Sequence, residues 1–324
     1  MLAPAKLAQV ALFFIALFAG LAFGTQDARA QGGPVDCPPE SKPLSAEMFA
    51  ASRAQARDRG FLWRVTRGGH SSYLYGTLHV GRDTWLAAGP AMASALQNAS
   101  TLALELDPLD PDNARRMGVA LAQAPSWPLA SDMRQRLVRQ LQMQCLPVNS
   151  VGTSPSELLL SGVALALARR DGFDAQFGSE TYLALFARQR GMPVVSLETV
   201  ELQLQALLSA SAAEAARMLE DGLRELEAGT ARQSLRDLVR MWESGDQQRL
   251  DTYQQWCECV VTPMEKLQMQ RLLDQRNPAM AQQIDAMHRA GQRVFAAVGS
   301  LHMAGDRGLP AVLGRMGYQV ERLP

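Results

Sequence analysis

Three helices in this chain are each followed at once by an apolar strand, with a glycine at every junction. The junctions are Arg190-Gly191 before residues 193–197, Arg289-Ala290-Gly291 before residues 293–298, and Arg315-Met316-Gly317 before residues 318–322. Glycine often ends helices because it adopts the left-handed conformation without steric cost. A helix that leads directly into a buried strand is typical of αβ units on one sheet. The sequence therefore predicts an α/β fold.

Further strands are expected before the long central part of the chain, which reads as mainly helical. We expect a mixed sheet with flanking helices and a large helical insertion. The expected elements are a helix over residues 46–59, strands over 61–66 and 72–78 joined by the turn Arg67-Gly68-Gly69, a strand over 101–106, and helices from about 110 to 290.

Four capping residues, each followed by proline, predict helix starts, because proline favours the first helical position. Two of them have a glutamate three residues on, which predicts capping boxes: Ser154 with Glu157, and Thr262 with Glu265. The four pairs are Asp110-Pro111, Ser154-Pro155, Thr262-Pro263 and Asn277-Pro278.

The first 30 residues have the features of a secretory signal peptide. Lys6 precedes an almost wholly apolar stretch over residues 7–24, and Ala28-Arg29-Ala30 forms a small-x-small cleavage site. An uncleaved membrane anchor is the alternative, since the stretch is nearly long enough to span a bilayer. Cleavage would leave a flexible leader over residues 31–44 and a single α/β domain over 45–324. The protein is thus expected to be periplasmic or secreted, and soluble.

The charge of the mature chain argues against nucleic acid or an anionic membrane as a partner. Removing residues 1–30 leaves 30 basic and 31 acidic side chains, whereas such partners select a strongly basic surface. The expected partners are a peptide or another small substrate, and protein partners stay open.

Four cysteines remain in the mature chain, and in an exported protein they are disulfide candidates. We expect Cys257 and Cys259, which are two positions apart, to bridge to distant partners. A Cys-x-Cys metal or redox site is the alternative, although thiolate sites usually have wider spacing. The candidates are Cys37, Cys145, Cys257 and Cys259.

Two of the four histidines lie in nearly identical loops. His79 ends Gly76-Thr77-Leu78-His79, and His302 ends Gly299-Ser300-Leu301-His302; each loop follows an apolar strand. Ligands of α/β proteins bind at the carboxyl ends of strands, and glycine allows a close backbone approach. The helical insertion lies between these two Gly-x-x-His motifs. His70 and His288 have no such setting, and we expect no role for them in the site.

Acidic side chains also end apolar strands. Glu105 closes one strand, with Asp107 two residues later, and Glu198 closes another. A carboxylate beside an apolar strand is costly to bury unless it is paired or bound to a metal. A simpler explanation for Glu198 is that it begins the next helix and has no role in a site. Two imidazoles with one or two carboxylates suit Zn²⁺ or Mn²⁺, and a bound cation could generate hydroxide from water.

Arg276-Asn277 is the last candidate pair. Asn277 reads as the cap of the helix that Pro278 begins. Arg276 could instead reach the site and hold an oxyanion or a substrate carboxylate.

Together these segments resemble the TraB/GumN family, which includes the Tiki proteins. The resemblance extends from about residue 61 to the carboxyl terminus, and the order and spacing of the two Gly-x-x-His motifs carry it. It implies a fold related to the erythromycin-esterase and ChaN-like proteins. It also implies a peptidase-like hydrolase dependent on Mn²⁺ or Co²⁺, with His79, Glu105 and His302 at the core of the site and Arg276 and Asn277 beside them.

Three functions follow from these features. The first is an exported metal-dependent hydrolase in which His79 and His302 bind the cation and Glu105 is a ligand or general base. Glu198 and Arg276 would then orient the substrate or stabilise developing charge. The second is a metal-free esterase with a histidine as general base. The third is a non-catalytic periplasmic accessory or binding protein in envelope or polysaccharide assembly.

Overall fold

The computed structural model describes residues 36–257 and 262–324. The expected signal peptide, residues 31–35 of the expected leader and Cys259 lie outside the described residues. The described strands form one sheet, ordered β4-β3-β5-β2-β1-β6. They are β1 (Phe61–Arg67), β2 (His70–Thr77), β3 (Thr101–Leu104), β4 (Val194–Ser196), β5 (Val294–Gly299) and β6 (Gln319–Leu323).

The sheet is mixed. Strands β4, β3, β5 and β2 are parallel to one another, whereas β1 is antiparallel to both β2 and β6. Every residue of β3 and β5 is buried, as expected for parallel strands covered on both faces. The predicted α/β class with a mixed sheet and flanking helices is confirmed.

The sheet is accompanied by α-helices, of which all but the first and the last in the described residues lie between His79 and His302. They are α1 (Ala46–Ala54), α2 (Pro90–Asn98), α3 (Pro111–Gln123), α4 (Ser131–Met143), α5 (Ser156–Arg170), α6 (Ser179–Gln189), α7 (Val200–Leu207), α8 (Ala212–Ala228), α9 (Thr230–Ser244), α10 (Gln247–Asp251), α11 (Tyr253–Trp256), α12 (Pro263–Met269), α13 (Asn277–Arg289) and α14 (Leu309–Arg315). Short 3₁₀ turns lie at Asp83–Trp85, Ala175–Phe177 and Ser300–Met303, and a π-helix at Gln270–Asp274.

The register aligns the carboxyl ends of the parallel strands. Thr77 of β2 lies opposite Gly299 of β5, and Leu104 of β3 lies opposite Ala297 of β5 and Ser196 of β4. Side chains that follow these four strands therefore meet at one edge of the sheet, as the direction of parallel strands requires.

The helix starts follow the predictions in part. Asp110 caps α3 by accepting from the Asp112 N–H, and Thr262 forms the expected capping box with Glu265. The predicted box at Ser154 is wrong, because α5 begins at Ser156 without a side-chain cap. Glu157 is instead buried and accepts a hydrogen bond from the backbone N–H of Ser209 at 2.9 Å.

Two predicted elements end earlier than expected. The first helix stops at Ala54, not at residue 59, and β3 stops at Leu104. The chain leaves the β3 ladder at Glu105, whose side chain makes long-range contacts instead.

One disulfide joins Cys37 to Cys145, whose Cα atoms are 5.6 Å apart. It attaches the segment before α1 to the end of α4, and it is typical of chains that fold in oxidising compartments. This pairing uses both distant cysteines, so the expectation that they bridge to Cys257 and Cys259 is wrong. Cys257 is itself disulfide-bonded, which excludes a metal thiolate there.

Across residues 36–257 and 262–324, no helix has the length and hydropathy needed to cross a membrane.

Candidate functional site

Glu105 is the central acidic residue at the edge of the sheet where the parallel strands end. Its Oε1 accepts the backbone N–H of Gly299 at 2.7 Å, and its Oε2 accepts from Arg276 Nη2 at 2.7 Å and from Gln203 Nε2 at 3.3 Å. Burial alone would raise the pKa of Glu105, but Arg276, His302 and His79 outweigh burial and lower it to about 2. The side chain is therefore a buried carboxylate that tertiary contacts keep ionised.

Arg276 lies between two acids. Its Nε donates to Glu198 Oε1 at 2.7 Å, and its Nη2 bonds both Glu198 Oε2 and Glu105 Oε2. Burial opposes the charge of Arg276, but the two carboxylates raise its pKa. Glu198 keeps a raised pKa because it is buried, although Arg276 acts in the opposite direction.

The preceding π-helix, Gln270–Asp274, positions the guanidinium. Arg276 Nη1 donates to the carbonyl of Leu272 within this turn at 2.8 Å. π-Helical turns free backbone groups from regular helical bonding and are frequent at functional sites.

His302 is fully buried, and its tautomer follows from its neighbours. Asn277 donates through Nδ2 to the carbonyl of Arg307 at 2.7 Å, so its Oδ1 accepts from His302 Nδ1 at 2.7 Å. The ring therefore carries its proton on Nδ1, and Nε2 faces Glu105 Oε1 at 3.8 Å. Burial lowers the pKa of His302 to about 3 despite the nearby Glu105.

The predicted capping role of Asn277 is wrong. Helix α13 begins at Asn277 itself, after Arg276 in a helical backbone conformation, and no side chain caps it. The reason is that both ends of the Asn277 amide are already bonded to Arg307 and His302.

His79 has a carboxylate partner that the sequence analysis missed. Its Nδ1 lies 2.8 Å from Glu180 Oε1, and both side chains are buried. Burial disfavours the charged imidazole, yet Glu180 and Glu105 together raise the pKa of His79. In sequence, Glu180 looks like an acid that complements a helix amino terminus, so no local pattern pointed to His79.

The two motif loops pack directly against each other. Ser300 Oγ donates to the carbonyl of Thr77 at 2.6 Å, and a Cβ atom on Gly76 would lie 3.1 Å from the Cα of Ser300. The indole of Trp242 donates to the carbonyl of Gly76 at 2.8 Å. A side chain at Gly76 would therefore crowd the point where the loops meet, and Gly299 supplies the N–H that holds Glu105.

The remaining candidates lie apart from this cluster. Asp107 pairs with Arg188 at 2.8 Å. His70 and His288 stack at 3.8 Å between ring centroids, at the end of β2 opposite to His79. Gln203, which bonds Glu105, was also missed, because a glutamine within a helix carries no sequence signal.

The donors at this edge are of the kinds that hold divalent cations: two imidazoles and a carboxylate. Within the described ranges, no three His, Cys, Asp or Glu side chains are grouped as a ready-made cation site. Glu105 and Glu198 are instead both paired with Arg276, whose single positive charge offsets one of the two carboxylates.

These features define an α/β protein whose two Gly-x-x-His loops flank a buried Glu–Arg–Glu cluster at the carboxyl edge of a parallel sheet. The chain belongs to the TraB/PrgY/gumN family, whose family model matches residues 61–322. It is similar to the uncharacterized protein YbaP of Shigella flexneri and of Escherichia coli (strain K12), at 24% identity over 266 residues in each case. These alignments cover 78% of this chain and 96% of each relative. No solved structure gives a significant match.

Proposed function

We propose that this protein is an exported, metal-dependent hydrolase with a peptidase-like substrate. The observation that supports the proposal is that His79, Glu105 and His302 follow three adjacent parallel strands and are all buried at the same edge of the sheet. Asn277 sets the tautomer of His302 so that Nε2 carries the lone pair, which is the form that binds a cation. The peptide class of substrate and the choice of Mn²⁺ or Co²⁺ rest on the family resemblance, and Zn²⁺ suits the same donors.

In this proposal His79, His302 and Glu105 hold the cation. A bound divalent cation supplies Lewis acidity and lowers the pKa of water. Glu105 is already ionised, and its Oε1 is the oxygen that faces His302. Its carboxylate is thus prepared to act as a ligand, whereas a role as general base would require a higher pKa than the one these contacts impose.

Arg276 supplies positive charge on the other side of Glu105. Its guanidinium is held by Glu198 and by the Leu272 carbonyl, so it need not reorganise in order to stabilise a developing oxyanion. Glu198 holds Arg276 in this orientation.

Export is the second part of the proposal. The expected signal peptide over residues 1–30 and the Cys37–Cys145 disulfide support a periplasmic or secreted location. The location can be checked by sequencing the amino terminus of the protein recovered from its native host, which should begin at Gln31.

Elemental analysis of protein purified without a metal-affinity tag tests the cation site. About one Mn, Co or Zn per chain is expected, lost in the double variant His79→Ala, His302→Ala and retained in His70→Ala, a matched histidine at the opposite edge. A peptide library should be cleaved by the loaded protein, with cleavage stopped by a chelator and restored by Mn²⁺ or Co²⁺. An unchanged metal content in the double variant, or no metal in any variant after Mn²⁺ or Co²⁺ is added, would contradict the proposal.

The second candidate is a non-catalytic accessory protein of envelope or polysaccharide assembly. The observation in its favour is that Arg276 already pairs with both Glu105 and Glu198, so each of the three buried charged side chains has a partner within the cluster. Under this reading, Arg276→Met would destabilise the fold, and no condition would yield cation-dependent cleavage.

A further inference from the structure

The loop that carries His79 is held by a segment about 100 residues later in the chain, residues 174–180. Gly81 and Asp174 exchange two backbone hydrogen bonds, each of 2.9 Å. On the other side of His79, Ser179 donates its N–H to the Leu78 carbonyl at 3.0 Å, and its hydroxyl accepts the Leu78 N–H at 2.8 Å. The backbone on both sides of His79 is thus bonded to one segment.

Two glycines bring the backbones of these segments into direct contact. A Cβ atom on Gly81 would lie 2.0 Å from the carbonyl oxygen of Phe177, and one on Gly178 would lie 2.7 Å from the carbonyl oxygen of His79. No side chain could be added at either position without moving a backbone. The contact therefore leaves little freedom in the placement of His79.

Glu180 completes this contact at the imidazole itself. It is the second residue of α6, it is 4% exposed, and its Oε1 lies 2.8 Å from His79 Nδ1. A carboxylate in the first turn of a helix is stabilised by the helix dipole, so Glu180 serves as an acceptor for an Nδ1 proton.

The second motif has an equivalent arrangement. Asn277, the first residue of α13, places its Oδ1 2.7 Å from His302 Nδ1. In each half of the site, an oxygen from the start of a helix meets the Nδ1 of the motif histidine. Histidines that bind metals commonly donate their other N–H to such an oxygen, which sets the tautomer and the ring orientation.

We infer that Glu180 is a positioning residue that keeps a proton on His79 Nδ1 and so presents Nε2 as the lone-pair nitrogen of the site. The consequence for cation affinity rests on the proposed function, whereas the consequence for the His79 ring does not.

The first test measures the dissociation constant for Mn²⁺ or Co²⁺ by titration calorimetry on the full mature protein. Glu180→Ala should weaken binding about 10- to 100-fold, the usual effect of removing an outer-shell partner. Glu180→Gln should weaken binding much less than Glu180→Ala does, since an amide oxygen already accepts the Nδ1 proton of His302. Glu157→Gln is the matched control, because Glu157 is also a buried glutamate at the second position of a helix; it should leave the constant unchanged.

The second test observes the ring directly in metal-free protein. Long-range ¹H–¹⁵N spectra at pH 9, with His79 assigned by its loss in His79→Asn, report which nitrogen carries the proton. Nδ1 should be protonated in wild type and in Glu157→Gln, and the proton should move to Nε2 in Glu180→Ala.

The two measurements separate the two ideas. If no variant binds a cation but Glu180→Ala moves the proton, the metal proposal fails and the positioning role stands. If the His79 proton is on Nε2 in wild type, or if Glu180→Ala leaves it on Nδ1, the positioning role is overturned whatever the metal affinity.

Discussion

Gly299 donates its backbone N–H to Oε1 of Glu105 at 2.7 Å. This bond joins the last residue of β5 to the first residue after β3, and it aims the carboxylate at the second motif loop. This one hydrogen bond therefore fixes Glu105 relative to the loop that carries His302, and it forms only because β3 and β5 are neighbours in the sheet.

Replacing Glu105 with glutamine should both destabilise the protein and abolish cation binding. The variant keeps an oxygen for Gly299 but removes one of the two carboxylates that neutralise the buried Arg276. Arg276 keeps its pair with Glu198, so the expected cost is that of a lost charge-assisted hydrogen bond, about 1.5–3 kcal/mol of unfolding free energy. Urea denaturation measures this loss. Glu201→Gln, which alters an exposed pair with Arg116, is the control and should show no measurable change. Equal stability of Glu105→Gln and wild type would contradict the assigned pairing.

Gly76→Ala should separate the two motif loops. The added methyl group would lie 3.1 Å from Ser300 Cα and 3.3 Å from Phe61 Cβ, and such overpacking typically costs about 1–3 kcal/mol. Thermal unfolding and cation affinity should both decrease. Gly118→Ala is the matched control, because Gly118 lies within α3 with open space around its Cβ position. That substitution should stabilise the protein by up to about 1 kcal/mol. Similar melting temperatures for Gly76→Ala and Gly118→Ala would contradict the prediction.

Protonation of Asp171 should reduce the stability of the protein in acid. Burial alone would raise the pKa of Asp171, but Arg232 and Arg236 on α9 outweigh burial and lower it to about 2. A carboxyl whose pKa is lower in the folded state stabilises the fold above its unfolded pKa, and this contribution is lost as the pH falls through the folded value. The loss should occur between about pH 4 and pH 2, and we expect it to be about 1 kcal/mol because the arginines are partly exposed.

The free energy of unfolding, measured by urea titration from pH 6 down to pH 2.5, tests this expectation. Asp171→Asn should flatten the acid part of the curve relative to wild type, and Asp112→Asn, which alters an exposed pair with Arg115, should not. Parallel curves for wild type and Asp171→Asn would contradict the role given to the two arginines.

Removing the disulfide should destabilise the protein without altering the site. Cys37 and Cys145 are separated by 108 positions, and loss of a native bridge costs about 2–5 kcal/mol, with the larger values for long loops. The double variant Cys37→Ser, Cys145→Ser should therefore unfold at a lower urea concentration while its cation affinity at 25 °C is unchanged. A large loss of affinity in the folded variant would show that the tether acts on the site.

Several parts of the fold were predictable because they depend on local patterns. The helix–glycine–strand junctions predicted the strands at β4, β5 and β6, and Thr262 with Glu265 predicted a helix start. Ser154 does not form the predicted capping box because Glu157, the partner it requires, is turned inward and accepts from Ser209. A capping pattern in the sequence indicates which hydrogen bonds a helix start could form. Donors or acceptors from distant parts of the chain compete for the same side chains and determine which of these bonds form.

By itself, the sequence determined the α/β class and the set of polar side chains that end strands: His79, Glu105, Glu198 and His302. If these strands are parallel, their carboxyl ends lie at the same edge of the sheet, and the residues that follow them must lie there too. The tertiary structure alone decided which side chains meet there. Glu180 reaches His79 across 101 positions, and Arg276 reaches Glu105 across 171. Asn277 bonds His302 and not its own helix. The packing of distant helices onto the sheet determines these partners, because a buried polar group is costly unless it is paired and packing decides which partners lie within reach.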